Sequence, residues 1–314
     1  MGPHQHVIIA GANKCGTTSL FRYLAAHPDV TGSVVKEAGF FNVAPAPGEA
    51  KAEGEYLSLF GPEPDRRRVL LEGTPTYLDG GLATARRIAE TVNGARLIFL
   101  LREPADRLAS YFRSKQGLKS APSYGLTFEE FVTTGMEAEK LDPGQRSNRQ
   151  EQLLHQWAKG RYAENLEAYL EVFDASDMLI LFYDELRTDA RRVTQRAAEF
   201  SGIDPAFYRD FSFAVENRSR AHRNDSFRTW ATHANHKLEP YLNRFPALRR
   251  AARAAYNMAN ASADRPLAPP APVLATLRAA HGSHNARLAA LLESRFGLSA
   301  LPEWLGPESA GDGA

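Results

Sequence analysis

The sequence predicts an α/β protein built on a central parallel sheet, with a helix-rich C-terminal half. Three observations carry that reading. Apolar runs of strand length recur through the first hundred residues and return near residue 180. Segments with helical spacing of apolar residues separate them. Beyond that last run the helical pattern dominates. Strands that alternate with helices are the mark of parallel βαβ units.

The elements follow in order. HVIIA (6–10) is a short unbroken apolar run and reads as a buried strand. GANKCG (11–16) reads as a loop. Residues 17–28 have helical spacing, with Leu20, Tyr23, Leu24 and His27 on one stripe and Pro28 as the stop. VTGSVV (30–35) reads as a strand that delivers Lys36 and Glu37. Residues 43–55 hold two Pro and two Gly and read as loop. RRVLLEGTP (67–75) is a strand running into a turn, and 81–92 is a helix. ARLIFLL (95–101) is the most apolar strand, and Pro104 falls where the first turn of the next helix belongs. A helical stretch over 149–173 leads to the strand MLILFY (178–183), and 188–201 is helical again. Loops are expected at 115–127 and 137–149, and an amphipathic helix over 236–259. The Pro-rich 262–272 reads as a surface connection. The tail 306–314 is expected to be disordered. No internal repeat is present and the core reads as continuous, so one domain over 1–305 is expected.

Composition narrows the function. With 314 residues, 43% hydrophobic and 24% charged, the chain has an ordinary globular balance rather than that of a disordered one. Lys+Arg 38 against Asp+Glu 37 gives a net charge of +1, which argues against bulk nucleic-acid binding. Eight of those basic residues are Lys and the rest Arg. A single Cys cannot form an internal disulfide, so a disulfide-stapled scaffold is excluded. No apolar run approaches a membrane span, and the start MGPHQHVIIA lacks a signal-peptide pattern. It also lacks a myristoylation pattern, since position 6 is His6. The expectation is a cytoplasmic protein without membrane or nucleic-acid partners, monomeric or homodimeric. Ala/Arg-rich stretches such as ALRRAARAAY suggest a bacterial source.

The sharpest local feature is strand, then G-A-N-K-C-G-T-T, then helix. Backbone N–H groups at such a junction, with the helix N-terminus behind them, form a phosphate cradle. The spacing is that of a Walker A loop, G-x-x-x-x-G-K-[ST], with Thr17 in place of its lysine and Lys14 three residues earlier. A displaced lysine points to one 5′ phosphate and a transferring group rather than a triphosphate with its metal. The plainer alternative is a βα turn with Thr17 or Thr18 as helix cap. Cys15 reads as a small packing residue, because nothing in the spacing gives it a base.

Taken with other segments, this loop resembles the sulfotransferases that use 3′-phosphoadenosine 5′-phosphosulfate (PAPS), nearest to the heparan-sulfate type and its bacterial relatives. The matching segments are GANKCGTTSLFRYLAAHP (11–28), VKEAGFF (35–41), EGTPTYL (72–78) and LREPADRLASYF (101–112), with LILFYDEL (179–186) and NARLAALL…LPEWL (285–305) further on. The resemblance implies a three-layer P-loop-like fold and transfer of a sulfuryl group to a hydroxyl, without a metal. It implies that Lys14, Cys15, Gly16, Thr17, Thr18 and Ser19 bind the 5′ phosphosulfate end. It matches Arg102 and Ser110 to the grip on the 3′ phosphate. Arg102 would end a strand, where open α/β sheets bind ligands, and its planar fork suits a phosphate. The competing reading is an ion pair of Arg102 with Glu103 or Asp106. Glu37 matches the catalytic base, and Lys14 and Lys36 are placed to neutralise the sulfuryl and bridging oxygens. Alone, Lys36-Glu37 would read as a solvated pair. Phe40 and Phe41 read as core or pocket wall. Asn217, Arg218, Ser219 and Arg223, in ENRSRAHRNDSFR (216–228), are loosely matched to the 3′ phosphate or adenine contact.

Two departures stand out. The heparan-type enzymes carry a lysine where this chain has Gly73, which puts the heparan substrate in doubt. They also have a disulfide near the adenosine loop, which Cys15 alone cannot form. The acceptor is expected to be a carbohydrate or a hydroxylated secondary metabolite. The rival readings are a small-molecule kinase using ATP and Mg²⁺, and a nucleotide-binding module without catalysis. His233-x-x-His236 and His281-x-x-His284 read as surface or capping histidines rather than metal ligands. Arg66–Arg68 and Arg249, Arg250 and Arg253 read as solvated faces. Trp157, Trp230 and Tyr241 read as core.

Overall fold

Val7, Ile8 and Ile9 are wholly shielded from solvent, as a strand packed on both faces requires. They belong to β1 (Gln5–Gly11), at the centre of a sheet completed by β2 (Val30–Gly32), β3 (Val69–Gly73), β4 (Arg96–Leu101) and β5 (Met178–Phe182). The chain is described here by a computed structural model over residues 4–44, 53–61, 68–116, 118–214 and 268–306. The expectations for Asn217, Arg218, Ser219 and Arg223, for the helix at 236–259, for His233 and His236, for Arg66 and Arg67, for Trp230 and Tyr241, and for the tail beyond Gly306 lie outside those residues. The described residues form two compact units. One draws its described residues from 4–107, 159–214 and 276–306, the other from 108–158 and 268–275.

The first unit holds the sheet. Every pairing is parallel and the order is β2-β3-β1-β4-β5. In register, Ile9 lies beside Gly73 and Gly11 beside Phe99, so β1 runs two residues past the end of β3 and β4 two past the end of β1. Helices α1 (Thr17–Ala25), α2 (Glu53–Leu57), α3 (Gly81–Thr91) and α4 (Pro104–Lys115) follow in chain order. Next come α5 (Phe128–Glu139), α6 (Asn148–Ala158), α7 (Tyr162–Leu170), α8 (Tyr183–Thr188), α9 (Ala190–Ser201) and α10 (Ala271–Phe296). α1 packs with α9, and α3 packs with α7. The β1-to-β2 and β3-to-β4 crossovers run in opposite directions across the sheet, so right-handed connections put these pairs on opposite faces. The result is the expected three-layer α/β architecture.

The second unit's described helices are α5 and α6, packed together, with the later turns of α4. Phe112, Phe128 and Phe131 cluster there with ring centroids 5.4–6.3 Å apart. Trp157 is buried, as expected of a core residue. No described helix is long and apolar enough to cross a membrane.

Several elements differ from expectation. The strand over 30–35 stops at Gly32, because the Val34 N–H turns to the Leu59 carbonyl (2.8 Å). The helix over 17–28 ends at Ala25. His27 then ties the exit, its ring Nδ1 accepting from the Asp29 N–H at 3.1 Å. The stretch 149–173 is two helices. They part at Gly160, where an added Cβ would stand 2.7 Å from His281 Nε2 and 2.9 Å from Pro104 Cβ. α5 was not expected, although Thr127-x-x-Glu130 is its capping box in the sequence. His281 is not at the surface. It is buried within α10, its ring Nδ1 2.9 Å from the Leu277 carbonyl.

Candidate functional site

Because the sheet is wholly parallel, the segments leaving β1, β2, β3, β4 and β5 emerge from one edge. An open α/β sheet presents its ligand-binding crevice at that edge. Lys14, Lys36, Glu37, Thr74, Arg102 and Tyr183 all follow strand ends there.

The loop after β1 is shaped by two left-handed residues, Lys14 (φ 70°) and Gly16 (φ 90°). Left-handed residues alternating with ordinary ones turn successive N–H groups into a concavity suited to anions. Gly16 is also the N-cap of α1, without a side-chain cap, so neither Thr17 nor Thr18 caps the helix as the plainer alternative supposed. Among the described residues the N–H groups of Gly16, Thr17 and Thr18 find no acceptor. Glycine is needed at 16, since a Cβ there would meet Leu186 Cδ2 at 3.0 Å and the Tyr183 ring at 3.1 Å. Ser19 donates its N–H to the Gly16 carbonyl at 3.0 Å and closes the first turn. Cys15 points inward and is fully buried, as its small size suggested. Burial pushes its thiol up to about 11, against the pull of the Arg107 and Arg102 charges. At neutral pH it is a packed thiol rather than a thiolate nucleophile.

Arg102 follows β4 and lies against the same loop. One guanidinium nitrogen donates to the Lys14 carbonyl at 3.4 Å, and the guanidinium carbon stands 4.3 Å from the centre of the Tyr183 ring. Its Nε is buried with no hydrogen-bond partner among the described residues. The ion pair with Glu103 or Asp106 is not formed. Glu103 instead accepts the N–H groups of Ala105 (2.9 Å) and Asp106 (2.8 Å) at the start of α4. Arg278 stands nearest the two carboxylates, at 3.6 Å from Glu103 and 3.5 Å from Asp106. Tyr162 braces the position from below, donating its hydroxyl to the Arg102 carbonyl at 2.9 Å and meeting the Cys15 sulfur at 3.9 Å.

Glu37 sits in a second left-handed turn, with φ 63° at Glu37 and 67° at Gly39. Lys36 Nζ stands 2.6 Å from Glu37 Oε1, and the Glu37 side chain is 54% exposed. The turn docks on the residues that follow β3. Glu37 N–H donates to the Gly73 carbonyl (2.9 Å) and Gly39 N–H to Thr74 Oγ1 (3.2 Å). Phe41 N–H donates to the Tyr77 hydroxyl (3.3 Å) and Asn42 Nδ2 to Thr76 Oγ1 (2.9 Å). Phe41 is a core residue, packed edge-on against Tyr77 at 5.4 Å.

Beneath that turn lies Glu72, wholly buried on β3. Burial pushes its carboxyl up to about 7, while the Thr74 hydroxyl and the Lys36 charge pull the other way. Next to it, Gly73 has no room for a side chain, because a Cβ there would lie 2.9 Å from Phe21 Cδ2.

Lys14, Cys15, Gly16, Thr17 and Arg102 thus come together, and Lys36 and Glu37 pair on the same sheet edge. Ser110 is buried two turns into α4, within the second unit. Sequence reasoning overlooked Tyr183, Tyr162, Glu72 and Thr74. Glu72 had a readable signal, a lone carboxylate inside an apolar strand run. Tyr183 and Tyr162 had none, since their roles rest on contacts across the fold.

Comparison with known proteins finds sulfotransferases. Residues 85–218 match the family described as Sulfotransferase domain. That match includes Arg102 and Ser110 and lies outside the loop at 12–16. A bifunctional heparan sulfate N-deacetylase/N-sulfotransferase 1 from Xenopus tropicalis is 28% identical over 203 residues, covering 64% of this chain and 22% of that protein. The form 2 protein from Bos taurus is 29% identical over 205 residues, covering 63% and 22%. The chain therefore spans about a fifth of the length of these curated relatives. A sulfotransferase crystal structure from Alicyclobacillus acidocaldarius superposes with TM-score 0.52 at 26% identity, covering 69% of this chain and 87% of that one. Over residues 85–218, less than half of its length, the chain is therefore similar to sulfotransferases, and its fold agrees with theirs.

Proposed function

We propose that the chain transfers the sulfuryl group of PAPS to a hydroxyl of a carbohydrate or small-molecule acceptor and releases adenosine 3′,5′-bisphosphate. The observation that carries this reading is the arrangement at the end of β4. A half-buried guanidinium whose Nε has no partner among the described residues lies on an aromatic face, beside a loop whose leading amides have no acceptor among them. Such a set of donors suits phosphate groups.

In this reading Lys14 and the amides of Gly16, Thr17 and Thr18 hold the 5′ phosphosulfate, with Cys15 and Ser19 completing the loop. Arg102 takes the 3′ phosphate. The Glu37 carboxylate accepts the acceptor's proton as the new O–S bond forms. The bond from sulfur to the 5′ phosphate oxygen breaks, and Lys14 and Lys36 neutralise the charge left there. Chemistry of this kind depends on positioning and charge neutralisation more than on covalent help. No step requires a metal. A second acceptor class merits assay beside hydroxyls. The curated relatives bear N-sulfotransferase in their names, so an amine of a deacetylated sugar belongs in the panel.

Calorimetric titration with adenosine 3′,5′-bisphosphate, against ATP with Mg²⁺, tests the donor. Metal-independent binding of the bisphosphate is expected, with Arg102→Ala weakening it by roughly ten- to a hundredfold, the worth of a charged hydrogen bond or two. Preference for ATP with Mg²⁺ would replace this reading with the kinase. Tight bisphosphate binding without consumption of PAPS would leave a binding module.

A further inference from the structure

Four hydrogen bonds fasten residues 37–42 to residues 73–77, on the Gly73 carbonyl and the hydroxyls of Thr74, Thr76 and Tyr77. Thr74 and Tyr77 both interact with the Glu72 carboxyl as well, and Thr74 does so most directly. Thr74 Oγ1 accepts the Gly39 N–H at 3.2 Å, which directs its own hydrogen away from the turn. That hydrogen goes to Glu72 Oε1, 2.5 Å away. Glu72 is wholly buried, Thr74 is 2% exposed, and Glu72 Oε2 has no partner among the described residues. A carboxyl in an apolar strand carries a standing desolvation cost. It persists where something else depends on it.

We infer that Glu72, acting through Thr74, is the positioning residue of the left-handed turn that presents Glu37. The inference rests on the proposed role of Glu37 as base. Glu37 is a non-glycine residue at φ 63°, a conformation that needs outside support. Support comes from the Gly73 carbonyl at its own N–H and from the Thr74 hydroxyl two residues on, at Gly39. The carboxyl fixes the hydroxyl's direction, and the hydroxyl fixes the turn. Glu72 touches no substrate in this arrangement; it sets where the Glu37 carboxylate stands.

The test compares Thr74→Val, which keeps shape and removes the hydroxyl, with Thr74→Ser, which restores it. Glu72→Leu removes the acceptor oxygen, and Glu72→Gln keeps one. Three readouts are taken on the full chain: hydrogen exchange at the Gly39 amide, bisphosphate affinity, and consumption of PAPS with water as the acceptor. Thr74→Val and Glu72→Leu are expected to speed Gly39 exchange and lower kcat by roughly tenfold, the worth of one hydrogen bond, with bisphosphate affinity unchanged. Thr74→Ser and Glu72→Gln should remain near wild type. If a Val or Leu variant does not fold, bisphosphate binding reports it, and the Ser and Gln variants still decide. Wild-type exchange and turnover in Thr74→Val would overturn the inference, as would a loss in Glu72→Gln equal to that in Glu72→Leu. Full turnover in Glu37→Gln would instead remove the base assignment, while Gly39 exchange would still test the tether.

Discussion

Two turns at the same sheet edge share a backbone device and use it in opposite ways. Lys14 and Gly16 are left-handed, and so are Glu37 and Gly39, each pair two residues apart. In the first turn the middle residue, Cys15, is fully buried, and the amides at 16–18 face no acceptor among the described residues. In the second, the amides of Glu37 and Gly39 are both taken by residues after β3, and the Glu37 side chain is half exposed. The first turn offers its N–H groups to something outside the protein. The second uses its N–H groups internally and offers a carboxylate. One conformation therefore leaves its amides open in one place and ties them down in the other, and the difference lies in what stands behind it.

The contrast can be broken at either turn. The largest effect is expected from Glu37→Gln, which keeps the shape of the exposed turn and removes its proton acceptor. Loss of a general base costs about 10²–10⁴ in rate, so PAPS turnover should collapse while bisphosphate affinity holds. Equal loss of both would mean that the two turns do not divide the work.

Next in size is the pH dependence of stability. Glu72 has its folded value raised to about 7 from an ordinary value of 4.5. The folded protein therefore holds that proton more tightly than the unfolded chain does. The cost of burying the charged form sets in above 4.5 and is complete above about 7, reaching at most roughly 3 kcal/mol. The Thr74 and Tyr77 hydroxyls and the Lys36 charge oppose that shift, and Glu37 adds to it. Urea melts of wild type and Glu72→Gln at pH 5 and pH 8 should show the variant gaining relative to wild type at the higher pH. The same difference at both would show that the buried carboxyl does not titrate in this window.

The smallest effect sharpens the first turn. Its thiol is the only one in the chain and is raised to about 11, so iodoacetamide at pH 8 reads it without ambiguity. Labelling should run about a hundredfold slower than for a free cysteine. Rapid labelling would mean that the loop opens in solution.

Much of this arrangement was legible in the sequence. The β1 run, its glycine-bounded loop and the arginine after β4 are local signals, because strand length, turn residues and a charged strand end are each set within a few positions. The short β2 was not legible. Whether Val34 bonds to the sheet depends on Leu59, which approaches from elsewhere in the chain. Nor was the Tyr183 ring under Arg102, which joins residues 81 positions apart. Glu72 lay in view as a misplaced charge, but its link to Thr74 and Gly39 exists only once the turn has docked.

Phe21 and Gly73 bear on how this site can change. The Phe21 ring fills the space over Gly73 so closely that even a methyl at 73 would stand 2.9 Å from it. The two positions are therefore contingent on each other. A lineage acquiring a lysine at 73 with phenylalanine still at 21 would pass through an overpacked intermediate, at a cost of about 1–3 kcal/mol. One that first shrank residue 21 would pass through a cavity instead. Either order carries a penalty, so an aromatic ring on α1 stands against a cation at the end of β3.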